Sequence, residues 1–211
     1  MTTALDAMQV IRQDRALTVV RAPGIPDAAA LADALAGGGI RAVELTFTTP
    51  DVLTHVRTAT AAGYLVGVGT VLTGDQAKQA IDAGARFLVT PGLRVEVAQV
   101  ATDAQIPVLI GALTPTEIQS AVDLGAAAVK VFPAKMFGPG YFRDLRGPYP
   151  DVALVPSGGV NAGNAAAFLQ AGAIAVTAGT DVVPPDLVAA GGWAEIRRRA
   201  TAFVAACGEA G

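Results

Sequence analysis

The sequence predicts an α/β protein built as a single-domain (β/α)8 barrel, on three observations. Eight short apolar runs recur along the chain, roughly 20 to 25 residues apart, and the stretches between them have helix chemistry that often stops at glycine. One strand plus one helix fills each interval. Parallel strands so evenly placed close into a barrel more naturally than they remain an open doubly wound sheet, the runner-up architecture.

The runs, in order, are Leu17–Val20, Ala42–Thr46, Tyr64–Gly67, Phe87–Thr90, Pro107–Ile110, Ala128–Phe132, Val152–Val155 and Ala173–Thr177. They are rich in valine, isoleucine and leucine, as strands covered on both faces should be. Between them, Asp75–Gly84, Thr116–Gly125 and Asn164–Gly172 read as helices that end in Ala-Gly or Leu-Gly, the glycine releasing the chain into the next strand. The final helical pattern carries the basic run Arg197-Arg-Arg199, which reads as a solvated face or an interface.

Composition sets the outer bounds. The 211 residues are 52% hydrophobic and 16% charged, with a mean hydropathy of +0.48. This is enough apolar material for one large core spanning residues 1–211 as a single domain. A net charge of -3 without basic clusters excludes a nucleic-acid surface, because phosphate backbones must be met by many cations. One cysteine, Cys207, excludes an internal disulfide framework. The opening Met1-Thr-Thr-Ala-Leu-Asp6 is polar and helix-like, no apolar stretch reaches the ~20 residues of a membrane span, and the expected compartment is the cytoplasm.

Two residues break the apolar pattern. Lys130 sits in the run Ala126-Ala-Ala-Val-Lys-Val-Phe-Pro-Ala134, and the only other lysines are Lys78 and Lys135. Burial lowers a lysine's pKa, and a neutral amine attacks carbonyls to form Schiff bases. The alternative is a packed stem whose head reaches water. Glu44, between Val43 and Leu45, is the one other charged residue in the eight runs. Two isolated, opposite charges in strand cores are costly unless they meet each other or a water-filled cavity. They read as a functional pair, with Lys130 the candidate imine former, against the alternative of a structural ion pair.

In a barrel of this kind, active sites lie at the C-terminal ends of the strands. Thr70 follows the third run and Thr90-Pro-Gly92 the fourth, and their hydroxyls are placed either to hold a carbinolamine or carboxylate or to cap turns. Arg21 closes the first run, as a carboxylate-binding fork or a rim cation. Pro156-Ser-Gly-Gly-Val-Asn161 and Ala178-Gly-Thr-Asp181 follow the seventh and eighth runs, where barrels commonly bind phosphate through backbone N–H groups. His55, the only histidine, falls in a helix away from the strand ends and reads as a surface residue; no metal or cofactor is expected.

Val43-Glu-Leu-Thr-Phe-Thr-Thr-Pro50, Gly67-Val-Gly-Thr-Val71, Thr90-Pro-Gly92, Thr114-Pro-Thr-Glu117, Val129-Lys-Val-Phe-Pro133 and Pro156-Ser-Gly-Gly-Val-Asn161 together resemble the 2-keto-3-deoxy-6-phosphogluconate (KDPG) aldolase family of class I aldolases, in order and over nearly the whole chain. That family also includes 4-hydroxy-2-oxoglutarate (KHG) and the corresponding phosphogalactonate aldolases. The resemblance implies cleavage of a small phosphorylated 2-keto acid, with Lys130 as Schiff-base former and Glu44 as base. Thr70, Pro91 and Phe132 would contact substrate, and Ser157, Gly158, Gly159, Gly179 and Thr180 would hold the phosphate. A homotrimer is implied as well. Two departures stand out. Some members have, at the position of Thr48, an arginine that grips the pyruvate carboxylate. If Thr48 does not take that role, Arg21 with Thr70 is the candidate. Ile110-Gly111 stands where many members have Pro-Gly.

Two other readings share parts of this pattern. A phosphate-binding isomerase or synthase barrel would use the last two loops but has no need of Lys130. A non-catalytic oligomeric shell would need neither Lys130 nor Glu44.

Overall fold

A computed structural model of the chain describes residues 6–208; the polar opening at residues 1–5 lies outside them. A first helix, α1 (Ala7–Asp14), is followed by β1 (Ala16–Val20), α2 (Ala28–Gly37), β2 (Ala42–Thr46), α3 (Val52–Ala61), β3 (Leu65–Gly69) and α4 (Gly74–Asp82). Then come β4 (Leu88–Val89), α5 (Val95–Asp103), β5 (Val108–Ala112), α6 (Pro115–Asp123) and β6 (Ala128–Val131). A 3-10 turn (Ala134–Met136) leads to α7 (Gly138–Leu145), β7 (Leu154–Pro156), α8 (Ala165–Gln170), β8 (Val176–Ala178), α9 (Pro185–Ala189) and α10 (Trp193–Gly208).

The strands form one parallel sheet in the order β7-β6-β5-β4-β3-β2-β1-β8. A bond from the Ile174 amide to the Leu154 carbonyl (3.0 Å) links the two ends, giving a nearly closed (β/α)8 TIM barrel. All eight expected strands are present, and β2 matches its run residue for residue. Four are shifted toward the site: β3 and β5 start one residue later than their runs and extend to Gly69 and Ala112, so Gly111 lies inside the strand, while β7 and β8 start two and three residues later than theirs. Ahead of β7 and β8, Ala153 and Ile174 keep single backbone bonds to Val129 and Leu154 without regular strand geometry, a distinction hydropathy does not carry. The predicted helix stops hold: Gly84, Gly125 and Gly172 have φ of 102°, 78° and 99°, the left-handed region where a Cβ is costly.

Strand side chains alternate between two apolar clusters. Val43, Leu45, Val66, Val68, Ile110, Val129 and Val131 pack outward against the helices. Leu17, Ala42, Leu65, Phe87, Leu109, Ala128 and Val155 point inward, and Ala7, Val10 and Ile11 of α1 join them as a floor across the N-terminal end. One step further along each inward row lie Val19, Glu44, Gly67, Gly111 and Lys130, paired across the sheet as Val19 with Glu44, Glu44 with Gly67, and Gly111 with Lys130. The fold therefore seats both strand charges on one layer above a dry floor. Among the described residues no helix is long and apolar enough to cross a membrane.

Candidate active site

Lys130 and Glu44 meet inside the barrel. Lys130 Nζ lies 3.7 Å from Glu44 Oε1; Lys130 is 8% exposed and Glu44 1%. That distance is within coulombic reach but longer than a direct hydrogen bond. Glu44 Oε1 has no hydrogen-bond partner among the described residues. Burial pushes the Glu44 carboxyl above its ordinary pKa, and the charges of Lys130 and Arg21 pull it back only in part. An under-bonded carboxylate beside a lysine can hold or release a proton at modest cost, as a proton shuttle must.

Missing side chains make room for this pair. A Cβ on Gly69 would sit 2.5 Å from Glu44 Cδ and 2.8 Å from Cγ, inside ordinary contact distance. Gly111 likewise allows the backbone of Pro91 and Gly92 to pass close above β5. The Thr90 hydroxyl fixes that crossing by donating to the Gly92 carbonyl (2.7 Å) and accepting from the Gly111 amide (3.1 Å). Thr90 is thus a turn-fixing residue, and Pro91 is brought to the cavity wall.

A cavity of about 560 Å³ opens above Lys130, within the usual range for small-molecule sites. Its wall includes Arg21, Thr70, Pro91, Lys130 and Phe132, together with Ser157, Gly158, Gly159, Gly179 and Thr180. Arg21 donates to the Thr70 hydroxyl at 3.4 Å. Thr70 holds φ 57°, an uncommon conformation for a β-branched residue and one found where a structure over-determines its backbone. The Phe132 ring centroid stands 5.7 Å from Lys130 Nζ. At the other loops, Gly158 and Gly159 both have φ 85°. The amides of Gly158, Gly159, Gly179 and Thr180 donate to no backbone carbonyl among the described residues. A concave wall with free N–H groups is a receptor for an anion.

Thr48 is not on this wall. It is exposed on the loop after β2, and its hydroxyl is 2.9 Å from that of Thr46. His55 lies on α3, where the sequence placed it. Several wall residues were missed. Val19 and Thr177 follow from the inward alternation that places Lys130, and Asn161 and Asp181 sit within the two glycine loops. Arg199 also lines the cavity, so the basic run is not simply a solvated face. Helix α10 turns that one side chain inward, and no local pattern marks it.

These features define a barrel enzyme in which a buried lysine and carboxylate lie beneath an anion-receiving mouth. The chain matches the family described as "Aldolase: KDPG and KHG aldolase" over residues 7–199, and it belongs to that family of carbon-carbon lyases. A 2-dehydro-3-deoxy-phosphogluconate aldolase of Treponema pallidum is 35% identical, covering 93% of each chain. Among solved structures, KDPG aldolase of Legionella pneumophila, with pyruvate captured as a covalent carbinolamine, is 27% identical with a TM-score of 0.84, covering 93% of this chain and 97% of that one. The Zymomonas mobilis aldolase with 3-phosphoglycerate is 28% identical with a TM-score of 0.82, covering 96% and 97%.

Proposed function

We propose that this chain is a class I aldolase that cleaves 2-keto-3-deoxy-6-phosphogluconate to pyruvate and glyceraldehyde 3-phosphate. The observation that carries this reading is the Lys130–Glu44 pair, 3.7 Å apart, the only charged residues in the eight described strands. Lys130 Nζ attacks the C2 ketone, and loss of water from the carbinolamine gives a protonated imine that draws electrons from the adjacent carbon. Glu44 takes the C4 hydroxyl proton through an intervening water as the C3–C4 bond breaks. It then returns a proton to the enamine carbon, and hydrolysis releases pyruvate and restores the amine. The carbinolamine of the Legionella relative supports this route.

Arg21 with Thr70 holds the pyruvate carboxylate, in place of Thr48, which stands outside the cavity. Pro91 and Phe132 bound the keto-acid end. The amides around Ser157, Gly158, Gly159, Gly179 and Thr180 take the phosphate, a reading supported by the phosphorylated ligand of the Zymomonas relative. KHG and the phosphogalactonate epimer are the alternative substrates, and the family description itself names KHG. The reading extends to one functional domain over residues 1–211, assembled as a homotrimer in the cytoplasm.

Trapping tests the nucleophile. Incubation with pyruvate and borohydride should inactivate the enzyme and leave one reduced three-carbon adduct per chain, mapped by peptide mass spectrometry to Lys130. An adduct at Lys135, which lies in the 3-10 turn beyond Pro133, would refute the assignment.

A further inference from the structure

Four charged side chains line the cavity: Arg21, Lys130, Asp181 and Arg199. Lys130 is the nucleophile, and Arg21 is bonded to Thr70 at the keto-acid end. Arg199 has no part in the chemistry so far. It comes from the second turn of α10, beside the buried stripe Ile196, Ala200, Phe203 that packs this helix onto the barrel. Its Nη1 donates to the Asp181 carbonyl at 3.1 Å, and its Nε donates to Glu195 Oε1 at 2.8 Å. Nη2 makes no hydrogen bond among the described residues, so the guanidinium keeps a donor edge while two other nitrogens fix its plane.

The neighbouring charges favour an anion. Glu195 is shared with Arg198, whose Nη2 is 2.6 Å from Oε1, so two guanidiniums face one carboxylate and the cluster keeps a net positive charge. These arginines hold the Glu195 pKa down to about 2, and it is ionised at any working pH. The Asp181 carboxylate is the opposing charge in the wall. Its Oδ2 accepts from the Ala162 amide at 2.9 Å, which ties the loop after β8 to the loop after β7. Both glycine loops therefore connect to α10 through Asp181 and Arg199.

We infer that Arg199 is a specificity residue, supplying the full positive charge that the backbone amides of Gly158, Gly159 and Thr180 lack when they receive a terminal phosphate dianion, and that Glu195 is the residue that positions it. This rests on the phosphorylated-substrate reading of the same site. Backbone amides offer partial charges and select an oxyanion by shape, whereas a guanidinium adds a charge-assisted hydrogen bond that an unphosphorylated substrate cannot use. The contact forms at a group remote from the bond that breaks and is equal in ground and transition states, so it acts on KM rather than kcat.

The test compares wild type, Arg199→Gln, Arg199→Lys and Glu195→Gln on KDPG and on KHG, following pyruvate release, with thermal melts to confirm folding. Arg199→Gln should raise KM for KDPG by about 10- to 100-fold, the scale of a lost hydrogen bond to a charged group. Its kcat should stay within about threefold, and kcat/KM for KHG should barely move. Arg199→Lys should recover part of the loss, and Glu195→Gln should show a smaller rise in KM for KDPG alone. Equal losses on the two substrates, or an unchanged KM for KDPG in a wild type that prefers KDPG, would overturn the role of Arg199 and leave the substrate reading standing. A wild type with no preference for KDPG over KHG would overturn the phosphorylated-substrate reading and this proposal with it.

Discussion

Gly69 should be the position where the smallest possible side chain does the most damage to turnover. Its φ is not in the left-handed region, so alanine is compatible with the backbone and in open space would stabilise by about 0.4–1 kcal/mol. Space decides the outcome. The new Cβ would lie 2.5 Å from Glu44 Cδ and 2.8 Å from Cγ, where ordinary contacts begin at 3.4 Å. The carboxylate must retreat by about 1 Å, and misplacement on that scale costs on the order of 10²-fold in rate. Because Glu44 is 1% exposed, it cannot swing into solvent to escape. Overpacking should also cost about 1–3 kcal/mol of stability. The assay is steady-state pyruvate release from KDPG, coupled to lactate dehydrogenase and normalised to folded enzyme. We expect kcat to fall about 100-fold with KM changed by only a few-fold, while borohydride still traps pyruvate on Lys130. Gly67→Ala is the control, since the nearest atoms its Cβ would meet are those of the Phe87 ring. It should lower the melting temperature and spare kcat. A Gly69→Ala enzyme with kcat within threefold of wild type, or equal kcat losses in both variants, would refute the claim that this glycine exists to seat the carboxylate.

Two further outcomes follow from the same geometry. Gly158→Val adds bulk at φ 85° against the Phe132 ring, in the loop proposed to take the phosphate, so kcat/KM for KDPG should drop far more than that for KHG; equal losses would point to a distorted barrel. The second concerns pH. A carboxyl whose folded pKa lies above its unfolded value holds its proton more tightly when folded. Its stabilising contribution is full below the unfolded value and is lost as pH rises through the folded one. Glu44 is such a group, and its ordinary value is 4.5. Comparing Lys130→Met with Lys130→Met/Glu44→Gln isolates it, and the stability gained by the second substitution should grow as pH rises above 4.5. A gain independent of pH in urea titrations would show that Glu44 is solvated.

The chemistry was legible in the sequence because strands write their environment locally. Their apolar runs made Lys130 and Glu44 conspicuous as charges, and the glycine loops after the last two strands were marked as candidate wall residues without any knowledge of neighbours; both loops do line the cavity. The alternation extends further than the motifs do. It places Val19 and Thr177 on the cavity wall beside Arg21 and Gly179. The weaker readings were those that needed a distance. Thr48 sits only four residues from Glu44, yet the turn after β2 carries it away from the cavity, and Thr90 spends its hydroxyl holding the loop crossing over β5.

The barrel, the succession of its strands along the chain and the two charged strand residues proposed as nucleophile and base could be read from the sequence by itself, because each depends on the residue type at one step of a short repeating pattern. The tertiary structure alone decided what depends on contacts between distant segments. It set the 3.7 Å between Lys130 and Glu44, the clearance at Gly69, and the floor that α1 builds beneath β1 and β2. It also turned Arg199 of α10 toward a loop eighteen residues earlier. A helix shows in its sequence which stripe is apolar, but which residue beside that stripe faces a cavity is settled only when the stripe docks, since about 100° per residue leaves several edges to choose from.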